Sequence, residues 1–263
     1  MHGDIPPERF FAYLTWHDIA TMPDKHQVVI LQPMGAIEQH GYHLPLVVDS
    51  AICTAVVGQA LAQLPAHIPA YALPPLYYGK SNEHNSFSGT ISLSTNTMLA
   101  LLTEVAESVY RAGFRKLVLV NAHGGQPQLG ELVARDLHEK YPDFWLFPLF
   151  IWRVPHPSAE LFPALEVEQG IHGGAVETSV MLSLLPETVK MEQAQRCYPP
   201  SFAPHSLLTW EGKHPVSWIT ADLSATGVIG DATLADKAKG DRLMTALVAG
   251  WVQLIQDIYH WQN

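Results

Sequence analysis

Short apolar segments of strand length alternate along this chain with longer segments of helical pattern, and this alternation strongly constrains the fold. Residues 115–121 contain an unbroken apolar run at 117–120, which is typical of a strand buried on both faces. The other predicted strands cover residues 28–31, 70–76 and 144–150. The predicted helices cover residues 50–64, 95–111, 128–140, 174–185 and 232–259, the last broken near Gly240. We therefore predict an α/β fold in which helices cover both faces of a mostly parallel sheet.

The length and composition predict one domain. The 263 residues contain no internal repeat, low-complexity tract or linker long enough to divide the chain. Apolar residues make up 48% of the sequence, which is enough to bury a sizeable core. Since α/β domains often reach this length, we expect residues 1–263 to form a single domain.

Charge and cysteine content exclude several classes of partner. The formal net charge is −10 and the chain has no run of Lys or Arg, so we expect no nucleic-acid partner. The two cysteines, Cys53 and Cys197, make neither a CxxC pair nor a disulfide framework. Residues 1–7 do not resemble a signal peptide, and no apolar stretch is long enough to span a membrane. We expect a cytoplasmic protein with no membrane partner.

Residues 35–49 carry the strongest chemical signal in the chain. Two carboxylates, Glu38 and Asp49, and two imidazoles, His40 and His43, lie within twelve residues, directly after the first predicted strand. A divalent cation among the carboxylates would balance their charge. The donors are nitrogen and oxygen atoms without thiolates, a set that suits Zn, Mn or Fe in a catalytic site.

Further polar clusters follow other predicted strands or begin helices. His123 lies in an Asn-Ala-His-Gly-Gly segment directly after the strand at 115–121. His172 and Glu177 begin the helix at 174–185, and a polar loop covers residues 81–90. Ligand sites of open α/β sheets form beyond the carboxyl ends of the strands, so these clusters can converge in space.

Each of these residues also has a structural interpretation. Asp49 could cap the helix that follows it, and Glu177 could be an acidic residue of the first turn that the helix dipole stabilises. His123 could be a loop residue bonded to its own backbone. Neither a GxGxxG segment nor a phosphate-binding P-loop is present, which makes nucleotide binding a weak alternative. The joint occurrence of the clusters at several strand ends favours a shared metal site.

The block at residues 35–45 with Asp49 resembles the signature of the creatininase (creatinine amidohydrolase) family. The Asn-Ala-His-Gly-Gly segment, the His-Gly-Gly segment at 172–174 with Glu177, and the Gly-Val-Ile-Gly-Asp segment at 227–231 match the family in the same order. The resemblance covers residues 25–255. It implies a three-layer α/β/α domain, often assembled as a homohexamer, with two divalent metal ions that hydrolyse cyclic or linear amides.

The resemblance also implies a role for each site residue. It makes metal ligands of Glu38, His40, Asp49 and His123, with Asp49 bridging the two ions. Glu177 supplies the fifth ligand and is grouped with His172, the acid/base histidine, as catalytic.

Creatininase proper has a Glu ligand where Gly125 stands and a Trp where Glu168 stands, so the resemblance argues against creatinine itself as substrate. From the polar loop, Ser81 and His84 are candidates for substrate binding.

Three functions follow as hypotheses. The first is a metal-dependent amidohydrolase that cleaves the C–N bond of a small amide such as creatinine, a formamide or a short peptide amide. The second uses the same metals as a hydrolase or isomerase of a cyclic polyol or keto-sugar, or as a deformylase of a pyrimidine intermediate. The third is a metal-holding protein without turnover, for which a spare histidine such as His172 would have no evident use.

Overall fold

The computed structural model describes residues 3–262 and places a parallel sheet at the centre of the chain. Four strands form this sheet: β1 (Val29–Met34), β2 (Ala70–Ala72), β3 (Lys116–Asn121) and β4 (Trp145–Phe150). Two short strands, β5 (Arg196–Cys197) and β6 (Gly230–Asp231), make a separate antiparallel pair. The helices of the described residues are α1 (Trp16–Thr21), α2 (Val48–Gln63), α3 (Thr95–Arg111), α4 (Pro127–Lys140), α5 (Ser158–Leu161), α6 (Ala164–Gln169), α7 (Ala175–Leu184), α8 (Thr220–Leu223) and α9 (Lys237–His260).

The strand order β2-β1-β3-β4 creates a crevice between two neighbouring strands. The chain leaves β1 toward β2 on one side and later returns to place β3 on the other side of β1. Met34 pairs in register with Asn121, so β1 and β3 end side by side. Ligands of open parallel sheets bind where the order of strands reverses in this way.

Helices cover both faces of the sheet, which gives three layers. Helices α2, α7 and α9 pack on one face, where Val118 and Val120 of β3 point. Helices α3 and α4 pack on the other face, against Leu117 and Leu119. Since alternate residues of a strand point to opposite faces, a continuously apolar strand supplies both cores. The predicted α/β/α fold with a mostly parallel sheet is confirmed.

Two predicted elements differ from the structure. The strand predicted at 70–76 ends at Ala72, shortly before Pro74 and Pro75, which lack the amide hydrogen that a strand needs. The helix predicted to break near Gly240 is the single helix α9, and Gly240 instead lies where α9 touches Ser179 of α7. The other predicted strands and helices are confirmed with small shifts at their ends.

Within residues 3–262, no helix is both long and apolar enough to cross a bilayer. The signal-peptide and single-domain predictions also involve Met1, His2 and Asn263, which lie outside the described residues.

Candidate metal centre

Two neighbouring strands and one helix bring the predicted donors together at the crevice. Glu38 and His40 lie on the loop that follows β1, and His123 lies two residues beyond the end of β3. Asp49 is the second residue of α2, the helix that begins after the same loop. All four side chains are at least 97% buried. The sequence clusters therefore converge in space, as their positions at strand ends predict.

His123 contacts both carboxylates through one ring nitrogen. Its Nδ1 lies 3.1 Å from Glu38 Oε2 and 3.3 Å from Asp49 Oδ2. Its other nitrogen, Nε2, lies 3.0 Å from the carbonyl oxygen of Lys80, which can only accept a hydrogen bond. The proton of the neutral ring therefore belongs on Nε2, so Nδ1 is the nitrogen that a metal ion between the carboxylates would use.

His40 is oriented in the same manner from the opposite side. Its Nδ1 donates to the carbonyl oxygen of Glu38 at 3.2 Å, which leaves the lone pair on Nε2. This Nε2 lies 3.6 Å from Asp49 Oδ1 and 3.8 Å from Glu38 Oε1. Asp49 thus faces one imidazole with each carboxylate oxygen.

The segment from His172 to Glu177 closes another side of the centre. His172 is held by an antiparallel bridge to Ile229, and its Nε2 donates to the carbonyl oxygen of Gln39 at 2.6 Å. Its Nδ1 faces the centre, 3.8 Å from Glu38 Oε1. The Gly173 amide donates to Glu177 Oε2 at 2.7 Å, and Gly173 has a positive φ of 62° that favours glycine.

The polar loop after β2 supplies the remaining side. The Ser81 hydroxyl donates a short hydrogen bond to Glu38, so Ser81 lies against a carboxylate of the candidate centre. His84 lies on the short helical turn Asn82–His84, with Nε2 3.5 Å from Glu38 Oε1. The rings of His40 and His84 each pack against the ring of His172, with centroid separations of 4.2 and 4.1 Å.

The protonation of the centre depends on burial and on these charge contacts. Burial disfavours the charged form of His40, but the Asp49 carboxylate outweighs it and raises the pKa of His40 to about 9. Burial would raise the pKa of Asp49, yet its close contacts with the His123 and His40 imidazoles hold it well below its usual value. Burial raises the pKa of Glu177 to about 7, with repulsion from Asp49 adding to the effect. Without a cation, protons bound to imidazoles provide the positive charge.

The donors fit a divalent cation. Three buried polar atoms of the centre, His40 Nε2, Asp49 Oδ2 and Glu83 Oε1, make no hydrogen bond within the described part of the chain. Buried polar groups are normally paired, and a cation accepts electron pairs from carboxylates and neutral imidazoles. The orphaned atoms therefore have the chemistry of metal ligands.

The donors separate into two groups. Among residues 3–262, Glu38, Glu83 and His123 can place one donor atom each within 4.8 Å of one another. A second set, His40, Asp49 and Glu177, does the same and shares no residue with the first. A third set joins Glu38 and His40 with His172. The two separate sets lie side by side through the contacts of Asp49 with His123 and of Glu38 with His40.

Glu83 belongs to the centre, although no sequence motif predicted a role for it. Its Oε1 lies 3.1 Å from His123 Nε2, and the pairing outweighs burial to lower the pKa of Glu83 to about 2. Gly125 faces the same point, because a Cβ there would overlap the Glu83 carboxylate. Gly125, two residues after His123, was the signal in the sequence, but the side chain that fills the space beside it lies 42 residues earlier.

A family comparison matches almost the whole chain. The family model described as creatinine amidohydrolase matches residues 12–255. The chain therefore belongs to the creatininase family, as the sequence motifs predicted, and this family is one of hydrolases.

Curated relatives within this family have different substrates in their names. A mycofactocin precursor peptide peptidase of Mycolicibacterium smegmatis is 32% identical, over 97% of this chain and 94% of the relative. A creatinine amidohydrolase of Pseudomonas putida is 30% identical, over 94% and 96%. A 3-dehydro-scyllo-inosose hydrolase of Thermotoga maritima is 26% identical, over 96% and 84%.

Solved structures agree with the fold and the metal chemistry. A putative creatinine amidohydrolase from Bacteroides fragilis superposes with a TM-score of 0.79 at 26% identity, covering 98% of this chain and 99% of the neighbour. A creatininase in a manganese form has a TM-score of 0.76 at 28% identity, covering 96% and 99%. A mutant creatininase of Zn–Zn type is also similar. These metal forms and the buried donors together support divalent-metal binding at this centre.

Proposed function

We propose that this protein is a metal-dependent hydrolase that cleaves a C–N amide bond, cyclic or linear, in a small molecule. The observation that carries the proposal is the pair of separate donor sets beside His172, whose Nδ1 lone pair faces both. Two relatives with names that denote amide-bond cleavage, a peptidase and an amidohydrolase, support the reaction class.

The residues would divide between two divalent ions. Glu38 and His123 would hold one ion, His40 and Glu177 the other, and Asp49 would bridge them. Zinc, manganese and iron all suit these donors. Bound ions of this kind polarise a carbonyl group and make a water molecule acidic enough to attack it.

His172 would move the proton of the reaction. Its Nε2–H is held by the carbonyl oxygen of Gln39, so Nδ1 is free to accept a proton from the attacking water and pass it to the leaving nitrogen. Burial, helped by the neighbouring His40 and His84 rings, keeps the pKa of His172 well below its usual value, so the ring is neutral and ready to accept. Glu177 orients this histidine by holding the Gly173 amide.

Substitutions separate metal binding from proton transfer. We expect E38A and H123A to lose bound metal in elemental analysis, because each removes a buried donor. H172A should retain metal but lose about 10²- to 10⁴-fold in turnover, the usual contribution of a general acid or base. H260N, at an exposed histidine near the end of α9, is the matched control. Full metal occupancy in E38A or H123A would remove that residue from the ligand set.

A screen of metal-loaded protein tests the reaction class. The panel contains creatinine, formamides, short peptides and cyclic polyols or keto-sugars, with release of amine, ammonia or formate as the readout for amides. The relative named as an inosose hydrolase favours the keto-sugar alternative, and turnover confined to those compounds would replace the amide proposal. Ser81 and His84 would contact the substrate, and creatinine is disfavoured by Gly125 and Glu168.

The proposal extends to the organisation of the protein. Residues 1–263 would form one amidohydrolase domain, and six copies would assemble into the homohexamer that the family resemblance implies. Sedimentation velocity of the full chain measures this assembly. The cytoplasmic location and the absence of nucleic-acid and membrane partners stay predictions.

A further inference from the structure

Gln39 lies between two ligand residues, yet its side chain makes contacts of a different kind. The amide is 95% buried, and its Oε1 accepts a hydrogen bond from the Gly41 amide at 2.9 Å. Its Nε2 donates to the carbonyl oxygen of Gly227 at 3.1 Å and lies 2.8 Å from His84 Nδ1. One buried amide thus connects the loop after β1, the segment before β6 and the polar loop.

The backbone determines which end of this amide faces His84. A rotated amide would bring its oxygen against the Gly227 carbonyl oxygen and its NH₂ group against the Gly41 N–H. Both arrangements are repulsive, since each would pair two acceptors or two donors. The NH₂ group must therefore face His84, and it can only donate.

This donor decides where the proton of His84 resides. Because Gln39 Nε2 donates to Nδ1, that nitrogen carries the lone pair and the ring proton is on Nε2. The Thr220 hydroxyl, 2.7 Å from the same Nδ1, can also donate to it. The Nε2–H of His84 then faces the metal centre, 3.5 Å from Glu38 Oε1.

The two stacked rings therefore present opposite groups to the same centre. His172 presents a lone pair on Nδ1, and His84 presents a hydrogen on Nε2, with ring centroids 4.1 Å apart. A substrate amide has both a leaving nitrogen that needs a proton and a carbonyl oxygen that gains negative charge. A fixed N–H donor stabilises such an oxygen in the transition state.

We propose that Gln39 is a positioning residue that locks His84 in the neutral Nε2–H form, and that His84 is the donor to the carbonyl oxygen of the substrate. The role of His84 rests on the proposed amide hydrolysis. The effect of Gln39 on the His84 tautomer, which we call the lock, depends only on the contacts of Gln39, so it is tested separately.

The tautomer is measured directly by nitrogen NMR. Zinc-loaded full-length protein is labelled with ¹⁵N-histidine, and the His84 signals are identified by their absence in H84N. We expect a protonated-type shift at Nε2 and an unprotonated-type shift at Nδ1. The reverse pattern, or a zinc-bound signature at Nε2, would overturn the lock. Wild-type protein suffices for this experiment, so the result does not depend on the folding of any variant at Gln39.

The isosteric variant Q39E inverts the contact, because a carboxylate at this position can only accept. We expect the His84 proton to move to Nδ1, or both nitrogens to become protonated. Q39M removes the donor and keeps the shape, so the His84 signals should show a mixture of forms. Unchanged signals in both variants would contradict the role of Gln39.

Kinetics test the consequence for the reaction on whichever amide the screen identifies. We expect Q39E and Q39M to lose about 10²-fold in kcat with little change in KM and with full zinc content, the loss typical of one oxyanion donor. Q32M is the control, since Gln32 is a buried glutamine of β1 whose Nε2 donates to the carbonyl oxygens of Pro33 and Pro74. Loss of zinc in the Gln39 variants would indicate a merely structural role. If the wild type cleaves no amide, the proposed function fails while the NMR result still decides the lock.

Discussion

At the scale of single residues, Glu83 and Gly125 together determine how one side of this centre is filled. The Glu83 carboxylate occupies the space into which a side chain at 125 would project. It also lies 3.1 Å from the outer nitrogen of His123. A carboxylate on the far nitrogen of a metal-binding histidine fixes the ring and increases its basicity. Glu83 therefore supports His123 and is within reach of the first donor set.

We predict that E83Q weakens zinc binding about 10- to 100-fold, the usual effect of losing such a support. The dissociation constant is measured by competition with a zinc chelator. E107Q is the matched control, because Glu107 pairs with Lys140 at a distance of 2.7 Å on the protein surface. Glu83 Oε2 also lies 3.4 Å from Lys80 Nζ, and equal affinities in wild type and E83Q would mean that Glu83 serves only this ion pair.

At the scale of secondary-structure elements, Gly240 can be interpreted either as a helix break or as a point of close helix packing. A glycine within a helical pattern indicates a break, and on that basis a break is predicted near Gly240. The structure instead shows 24 residues of unbroken helix α9, packed against α7. A Cβ at position 240 would overlap the carbonyl oxygen of Ser179 and approach Ser183 Cβ to 3.2 Å. Glycine is therefore required by close approach of two helices.

The two interpretations predict opposite effects of G240A. If glycine only interrupted the helix, alanine would stabilise the protein by about 1 kcal/mol. Because the methyl group has no space, we expect destabilisation by about 1–3 kcal/mol, measured by denaturant unfolding. A249G, at an exposed position of the same helix, should cost about 1 kcal/mol through helix propensity alone. A stabilised G240A variant would show that the helices are not in close contact.

At the scale of the whole molecule, the metal centre joins segments that are far apart in sequence. Donors come from the loop after β1, the start of α2, the loop after β2, the end of β3 and the start of α7. An unfolded chain cannot hold these donors together, so a bound cation stabilises the folded state. The centre is thus a junction between distant segments of the chain.

We predict that zinc-loaded protein unfolds at a higher temperature than chelated protein, and that the difference increases from pH 6.5 to pH 9. Without metal, the pKa of His40 is about 9 in the folded state and 6.5 in the unfolded state. Protonation of His40 therefore stabilises the folded state fully below pH 6.5, and this stabilisation is lost as the pH rises toward 9. Over the same range, zinc competes with fewer protons for the imidazole.

Differential scanning calorimetry with and without chelator measures the difference at each pH. In H260N the unfolding temperatures with and without chelator should differ as they do in wild type. In H123A they should differ only slightly at every pH. A difference that is independent of pH would contradict the exchange of protons for metal at these imidazoles.

The sequence by itself determined the layered α/β fold and most of the donor set, because both depend on local information. Apolar runs and helical patterns define the elements, and residues such as Glu38, His40 and His123 directly follow strands that end at one edge of the sheet. Family motifs added Glu177 and His172 to this set.

Only the tertiary structure decided the contacts of Glu83, Gly240 and Gln39. Gln39 contacts His84, 45 residues away in the sequence, and Gly227, 188 residues away. Glu83 contacts His123 and Gly240 contacts Ser179, and both pairs are also distant in the sequence. Which donor faces which acceptor depends on the packing of whole elements, since hydrogen-bond geometry changes with shifts of less than an ångström. Residue type and spacing do not specify those positions, so the hydrogen-bond and ligand contacts of these residues are determined only in the folded chain.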